Sequence, residues 1–469
     1  MALSHWDARA HLVVARRVFD SIWPSWQQIG AVWLPLPHVL NMLPAQVDAW
    51  YRTGGSAIAI SVVSMGLAGW ALAWVLIRIT GSRVAAVAAV MLFVLNPSVL
   101  YLQSTPMTEP LLFGTSMLAV AVTVAWLEDV EARSVHAPSL ALAAACLTRY
   151  EAWPITAATI VLAGAVLLRR GVSVAATARA CAWLALYPLL AVVLFMLNSR
   201  WTTGMWFISS GFFVPENEAL GRPLEAWRQL RLGLYRLSGT ALVWSAYAGM
   251  ALSLIAFLRS KTRASIIVLL ALCAAAALPI YAYVQGHPFR IRYDVPLIAA
   301  AAALAGVAIA LMPALVRGPV AAVIVTLALL QAPPLEPSTP VIVEAHRDAR
   351  NRQARAAVTN YIQQHYDGRK IMISMGSLAH YMHDLSTIGI DIRDMLHEGN
   401  GEIWKDAFLS PHGHAGWIAM EQTSEGGDNL FHRAKDARFI SGFERVAEGG
   451  GVVLYRATGD TRVLPSARR

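Results

Sequence analysis

Eight residues of this 469-residue chain carry side chains that could do chemistry in settings where charge is otherwise scarce. Asp7 stands in "SHWDARAH", His38 in "WLPLPHVL", Glu109 in "STPMTEPLL", Arg149 and Glu151 in "LTRYEAWP", and Arg290, Arg292 and Tyr293 in "HPFRIRYDVP". Carboxylates suit proton removal from a hydroxyl. Guanidinium groups offer fixed planar donors for phosphate oxygens. A carboxylate with an imidazole, here Glu109 with His38, could hold a divalent cation. Each residue also has a plainer reading. Thr108, Glu109 and Pro110 look like a helix start. Arg149 can pair with Glu151, Arg290 or Arg292 can pair with Asp294, and His38 can be an interfacial histidine with one nitrogen satisfied.

The elements that must position these residues belong to a membrane protein. The chain is 57% hydrophobic and only 14% charged, with sixteen tryptophans, a composition foreign to soluble domains. The net charge of +9 gathers at the ends of apolar runs, which reads as an orientation signal rather than a nucleic-acid surface. Cys146, Cys181 and Cys273 all lie inside apolar runs, so neither a disulfide framework nor a cysteine zinc site is expected. Ten uncharged stretches, 55–77, 84–108, 110–127, 137–148, 152–168, 180–199, 237–258, 264–286, 295–316 and 318–335, suggest ten spanning helices. The short 137–148 stretch could be re-entrant. If all ten span, Arg78 and Arg83, then Arg169, Arg170 and Arg179, then Arg259, Lys261 and Arg263, then Arg317 share one face, the cytoplasmic one. Glu128, Asp129 and Glu131 dissent weakly. The eight residues named above, and the 198–236 loop, then fall on the opposite face.

Residues 1–54 are expected to form an outer loop with interfacial helices. Leu12, Ala15, Phe19 and Ile22 make one apolar face, while Trp23, Trp26 and Trp33 suit the headgroup region. Because this segment has no apolar run of its own to carry it across the membrane, a further helix is expected upstream of Met1. Residues 55–335 form the membrane domain. After the proline-rich "QAPPLEPSTP", residues 341–469 read as a soluble extracytoplasmic α/β domain with strands in "KIMISMG", "AGWIAME" and "GGVVLYRA" and helical pieces in "RDMLHE" and "FHRAKDARFISGF". Eight of the thirteen histidines fall there. His380 with His383, and His412 with His414, lack a third ligand at tight spacing and read as structural or exposed.

Taken together, an early acid, surface-lying helices, "WLPLPH", "YLQSTPMTE", "TRYE" and "RIRY" before a late helix resemble the GT-C membrane glycosyltransferases over residues 5–315. The nearest groups are the protein O-mannosyltransferases and the bacterial aminoarabinose and related lipid-linked sugar transferases. The resemblance implies that Asp7 matches the first-loop acid at the reaction centre; the chemistry of sugar transfer itself makes Asp7 the natural base, with Glu109 completing an acidic pair that holds the acceptor or a divalent cation. The resemblance also implies a polyprenyl-phosphate sugar donor and a lipid, glycan or protein acceptor, at the bacterial inner membrane. The chain departs at Ala8, where many relatives have a second acid, and at Trp33 and Leu34, where several have an acid–lysine pair. A secondary transporter or lipid flippase is the competing class, but such proteins place ionisable groups at mid-membrane, where these ten stretches are uncharged. No internal repeat is evident. A pure anchor gives no reason for acids and arginines to converge on one face.

Overall fold

In the computed structural model, residues 1–207 and 217–459 are described; the 208–216 part of the expected 198–236 loop lies outside them. The chain divides into two compact units, one of Met1–Gly30, His38–Ile58 and Glu344–Arg469, the other of Ala31–Pro37 and Ala59–Val343.

The larger unit is a helix bundle. Among the described residues, eight helices are long and apolar enough to cross a membrane: Gly55–Thr80, Glu109–Glu128, Ala152–Arg169, Val174–Thr203, Pro223–Arg259, Ala264–Val284, Ile291–Ala310 and Ala314–Gln331. The other two expected spans form shorter helices, Arg83–Val94 and His136–Cys146. Asn96 and Pro97 explain the first interruption. Pro97 opens a new helix, Pro97–Leu102, whose first amides at Ser98 and Val99 are capped by the Asn96 side chain. The Asn96 side-chain amide also donates to the Leu237 carbonyl at 2.7 Å. That carbonyl lies beside Gly239, whose φ of 73° breaks the Pro223–Arg259 helix, and across the break the Ala241 amide donates to Gln331 Oε1 at 2.9 Å. An apolar environment demands such replacement of lost backbone hydrogen bonds.

Contacts at the helix ends give the winding. Arg78 pairs with Glu128 at 2.6 Å, Arg170 donates to the Leu127 carbonyl, and Arg169 donates to the Phe257 carbonyl at 3.0 Å. The C-terminal ends of four long helices therefore share one end of the bundle, so the chain between each pair must return. The acidic Glu128 thus neutralises an arginine of its own face. Two helices are central: the apolar stretches of Glu109–Glu128 and Ile291–Ala310 are 89% and 94% buried, against 17–56% for the others. Both carry charge in their first turn, Glu109 in one and Arg292 and Asp294 in the other.

The smaller unit is α/β. Its sheet has the order β2-β1-β3-β5-β4, from β1 (Ile371–Ile373), β2 (Met395–Leu396), β3 (Trp417–Glu421), β4 (Phe443–Gly449) and β5 (Val452–Ala457). β1 pairs parallel with β2 and β3, while β3–β5 and β5–β4 are antiparallel. Helices Pro340–Ala354, Ala356–His365, Met375–Ser386 and Glu402–Leu409 accompany the sheet. The N-terminal helix, Trp6–Arg16, is part of this unit. Every residue from Ala8 to Arg16 is buried, and Leu12 and Val13 enter the same apolar core as Ile371, Tyr381 and Trp417. Of the face expected to lie in a membrane surface, Leu12 and Ala15 pack on protein, while Phe19 is 48% exposed. Two of the helix's arginines find carboxylates there: Arg16 pairs with Asp20 at 2.9 Å and Asp48 at 2.7 Å, and Arg9 pairs with Asp384.

Candidate functional site

In the larger unit, four of the eight residues meet. Glu109 opens its helix and is completely buried, Glu151 is 3% exposed and Arg292 is 5% exposed. Arg149 links them. Its Nη2 donates to Glu151 Oε1 at 2.8 Å, its Nε to the same oxygen at 3.2 Å, and its Nη1 to Thr108 Oγ1 at 2.9 Å. The same Nη1 lies 3.3 Å from Glu109 Oε1. Arg292 approaches that oxygen from the other central helix, with Nε at 3.7 Å. Two guanidinium groups and two carboxylates thus form a neutral cluster where the two central helices begin.

Thr108 occupies the N-cap position with helical backbone angles and makes no side-chain cap; its hydroxyl accepts from Arg149 instead. The cluster is therefore more than a helix start. Glu109 is held by charge alone: neither oxygen accepts a hydrogen bond among the described residues. A buried carboxylate is costly unless paired and hydrogen-bonded, and this one keeps acceptor capacity unspent. Burial opposes the charge on Arg149, but Glu109 and Glu151 outweigh it and hold the guanidinium above its ordinary pKa, so it stays cationic at any working pH. Arg149 and Glu151 do pair with each other as the plain reading expected, but inside the protein. Arg292 pairs with Glu109 rather than with Asp294.

Neighbouring segments fix this arrangement. Leu36 N donates to the Leu147 carbonyl at 2.9 Å and Tyr150 Oη to the Val32 carbonyl at 2.8 Å. The strip holding Trp33 and Leu34 therefore lies along the turn that bears Arg149. Arg290 and Tyr293 sit in the turn before the second central helix. The Arg290 carbonyl accepts from Tyr283 Oη at 3.1 Å, and the Tyr293 ring meets His287 edge-on at 5.2 Å. Asp294, completely buried, is a residue that sequence reading treated only as a partner for arginine. It packs against Gly233, where a side chain would collide with its carboxyl group.

Asp7 and His38 belong to the smaller unit. Asp7 is half-buried in the first turn of its helix. His38 Nε2 shares a hydrogen bond with His11 Nδ1 at 3.0 Å, and both rings are buried. Among the described residues, no group of three histidine, cysteine, aspartate or glutamate side chains is gathered as metal ligands. His380 stacks on Trp6 and His383 Nε2 donates to the Tyr51 carbonyl at 3.1 Å. Burial, then the charges of Arg355 and Arg9, hold His380 well below the ordinary imidazole pKa, with Asp7 pulling the other way.

A bundle of membrane-length helices with a buried charge cluster at one end, joined to an α/β unit, defines a polytopic integral membrane protein. Comparison with solved structures makes the fold specific. Crystal structures of ArnT from Cupriavidus metallidurans, one bound to undecaprenyl phosphate and one in the apo state, each match with a TM-score of 0.57 and 13% identity, over 98% of this chain and 94% of that chain. The chain therefore shares the overall fold of ArnT. No family model matches it, and no curated protein matches it.

Proposed function

We propose that this protein is a membrane glycosyltransferase that moves a sugar from a polyprenyl-phosphate donor to an acceptor hydroxyl on the extracytoplasmic face of the bacterial inner membrane. The observation that carries the reading is the buried Glu109–Arg149–Glu151–Arg292 cluster at the start of the two central helices. Binding of undecaprenyl phosphate by a protein of the same fold supports the donor class.

The chemistry needs little beyond these groups. The acceptor O–H gives its proton to a carboxylate as its oxygen attacks the anomeric carbon, and the bond from that carbon to the phosphate oxygen breaks with its electron pair on the phosphate. Asp7 is the base in this reading. Arg149 and Arg292 hold the phosphate oxygens as negative charge grows there, a role for which preorganised guanidinium donors are suited. Glu109 and Glu151 hold the arginines in place before the donor arrives. One displacement inverts the anomeric configuration. Incubating the purified protein with labelled polyprenyl-phosphate sugar and a crude lipid and glycan acceptor fraction tests the reading. Label should move to an acceptor with inverted linkage. Stable donor and no labelled product across lipid, glycan and protein fractions would reject it.

A further inference from the structure

The first turn of the helix that carries Asp7 is gripped by residues from the far end of the sequence. Trp6 and Arg9, three residues apart, share one helix face. The Trp6 indole stacks on His380 with centroids 4.8 Å apart and planes 4° from parallel. The Arg355 guanidinium lies 5.4 Å from the Trp6 ring centroid, and Arg355 itself is anchored on Glu421 of β3 at 2.7 Å. The Trp6 amide donates to Asp348 at 3.1 Å, and His5 Nδ1 is 3.5 Å from the same carboxylate. Arg9, with no exposed surface, pairs with Asp384, whose other oxygen takes Arg352 at 2.9 Å.

Asp7 sits between the two gripped residues. A helix of eleven residues is too short to hold itself in water, so its place depends on these contacts. Misplacing a reacting group by about 1 Å can cost about a hundredfold in rate.

We infer that the α/β segment after residue 344 acts as the positioning scaffold for Asp7, through the Trp6–His380–Arg355 stack and the Arg9–Asp384 pair. This rests on the reading of Asp7 as the base. Trp6, His380, Arg355, Arg9 and Asp384 are then positioning residues, and the segment has a part in turnover separate from any acceptor recognition.

The experiment compares kcat and the KM for a polyprenyl-phosphate sugar in full-length Trp6→Leu, Trp6→Phe and Asp7→Asn proteins. Thermal unfolding confirms that each is folded. Trp6→Leu keeps apolar bulk but loses the stack, whereas Trp6→Phe keeps an aromatic face. Phenylalanine sacrifices no hydrogen bond that the described residues make, since the buried Trp6 Nε1 has no partner among them. Trp6→Leu should lower kcat at least tenfold with KM unchanged, and Trp6→Phe should stay within about twofold of the parent. If Trp6→Leu does not fold, the apolar pair Arg9→Met with Asp384→Leu replaces it, removing both buried charges together, and the same fall in kcat is expected. A folded Trp6→Leu or paired variant with parental kcat would overturn the inference, as would a Trp6→Phe protein no better than Trp6→Leu. If Asp7→Asn itself turns over normally, the base reading falls and the scaffold role with it. An inactive Asp7→Asn beside a fully active Trp6→Leu defeats the scaffold role alone.

Discussion

Arg149→Lys keeps the charge of the membrane cluster and removes its geometry. Arg149 serves three partners from the two ends of its fork, with Glu151 at 2.8 Å from Nη2, and Thr108 at 2.9 Å and Glu109 at 3.3 Å from Nη1. An ammonium is one compact centre and cannot reach all three from one position. At least one charge-assisted contact is lost, a change of about 1.5–3 kcal/mol. Expressed in the transition state, that is roughly a ten- to hundredfold fall in kcat/KM for the lipid-linked donor. Initial rates in nanodiscs across donor concentrations measure it. Arg149→Met calibrates the structural part. It strands Glu109 and Glu151 without their shared partner, at a cost of about 3–5 kcal/mol, and should lower the thermal stability of the membrane bundle outright. A folded Arg149→Lys protein within threefold of the parent would refute the reasoning, because phosphate stabilisation could not then depend on the planar donor.

Asn96→Ala removes both a helix cap and the donor to the Leu237 carbonyl; it should destabilise the bundle by about 1–3 kcal/mol, read as a lower midpoint of thermal unfolding, and an unchanged midpoint would contradict this. Gly233→Ala should impair folding or activity because its Cβ collides with Asp294, and an alanine variant with parental yield and turnover would show that the two helices can part at no cost. The α/β unit should lose stability in acid. Burial holds His383 down at about 4 and His397 down at about 3, so both stay neutral in the folded state while unfolded imidazoles take protons near pH 6.5. Their contribution is whole above that pH and declines below it by up to about 1.4 kcal/mol per pH unit for each. Buried Glu398 and Asp428, pushed up by desolvation, act in the opposite sense in the carboxylate range. Hydrogen exchange of the β1 and β3 amides between pH 6.5 and 5 should accelerate beyond its intrinsic pH dependence, and protection independent of pH over that interval would count against it.

The membrane cluster was legible because charge is so expensive in its setting. Glu109, Arg149, Glu151 and Arg292 each interrupt the edge of an apolar run, and cost alone singles them out. That Arg149 and Arg292 converge on Glu109 was not legible, since it depends on which helices take the bundle's centre. Thr108 looked like a cap, and only the partner 41 residues away shows otherwise. The partners of the N-terminal helix were hidden for a different reason. An apolar stripe with Leu12 and Ala15 is the same whether it faces lipid or protein, and what decides is Asp384, 375 residues beyond Arg9. In the α/β unit, β1, β3 and β5 were read from their apolar runs. β4 was missed because the irregularity between Arg445 and Ala447 spoils the alternation of an edge strand. β2 has only two residues, too few to carry a pattern, and was read as helical. The 84–108 run concealed its break at Asn96 because asparagine and proline carry no charge.

The most direct test follows the fate of a doubly labelled donor, marked on the sugar and on the phosphate, in proteoliposomes holding the parent protein or Asp7→Asn with acceptor in excess. The expected result is sugar label on an acceptor of inverted configuration, phosphate label left on free polyprenyl phosphate, and turnover at least about a hundredfold lower in Asp7→Asn. Movement of intact donor across the bilayer with both labels still joined, at the same rate in both proteins, would contradict glycosyl transfer and identify a transporter.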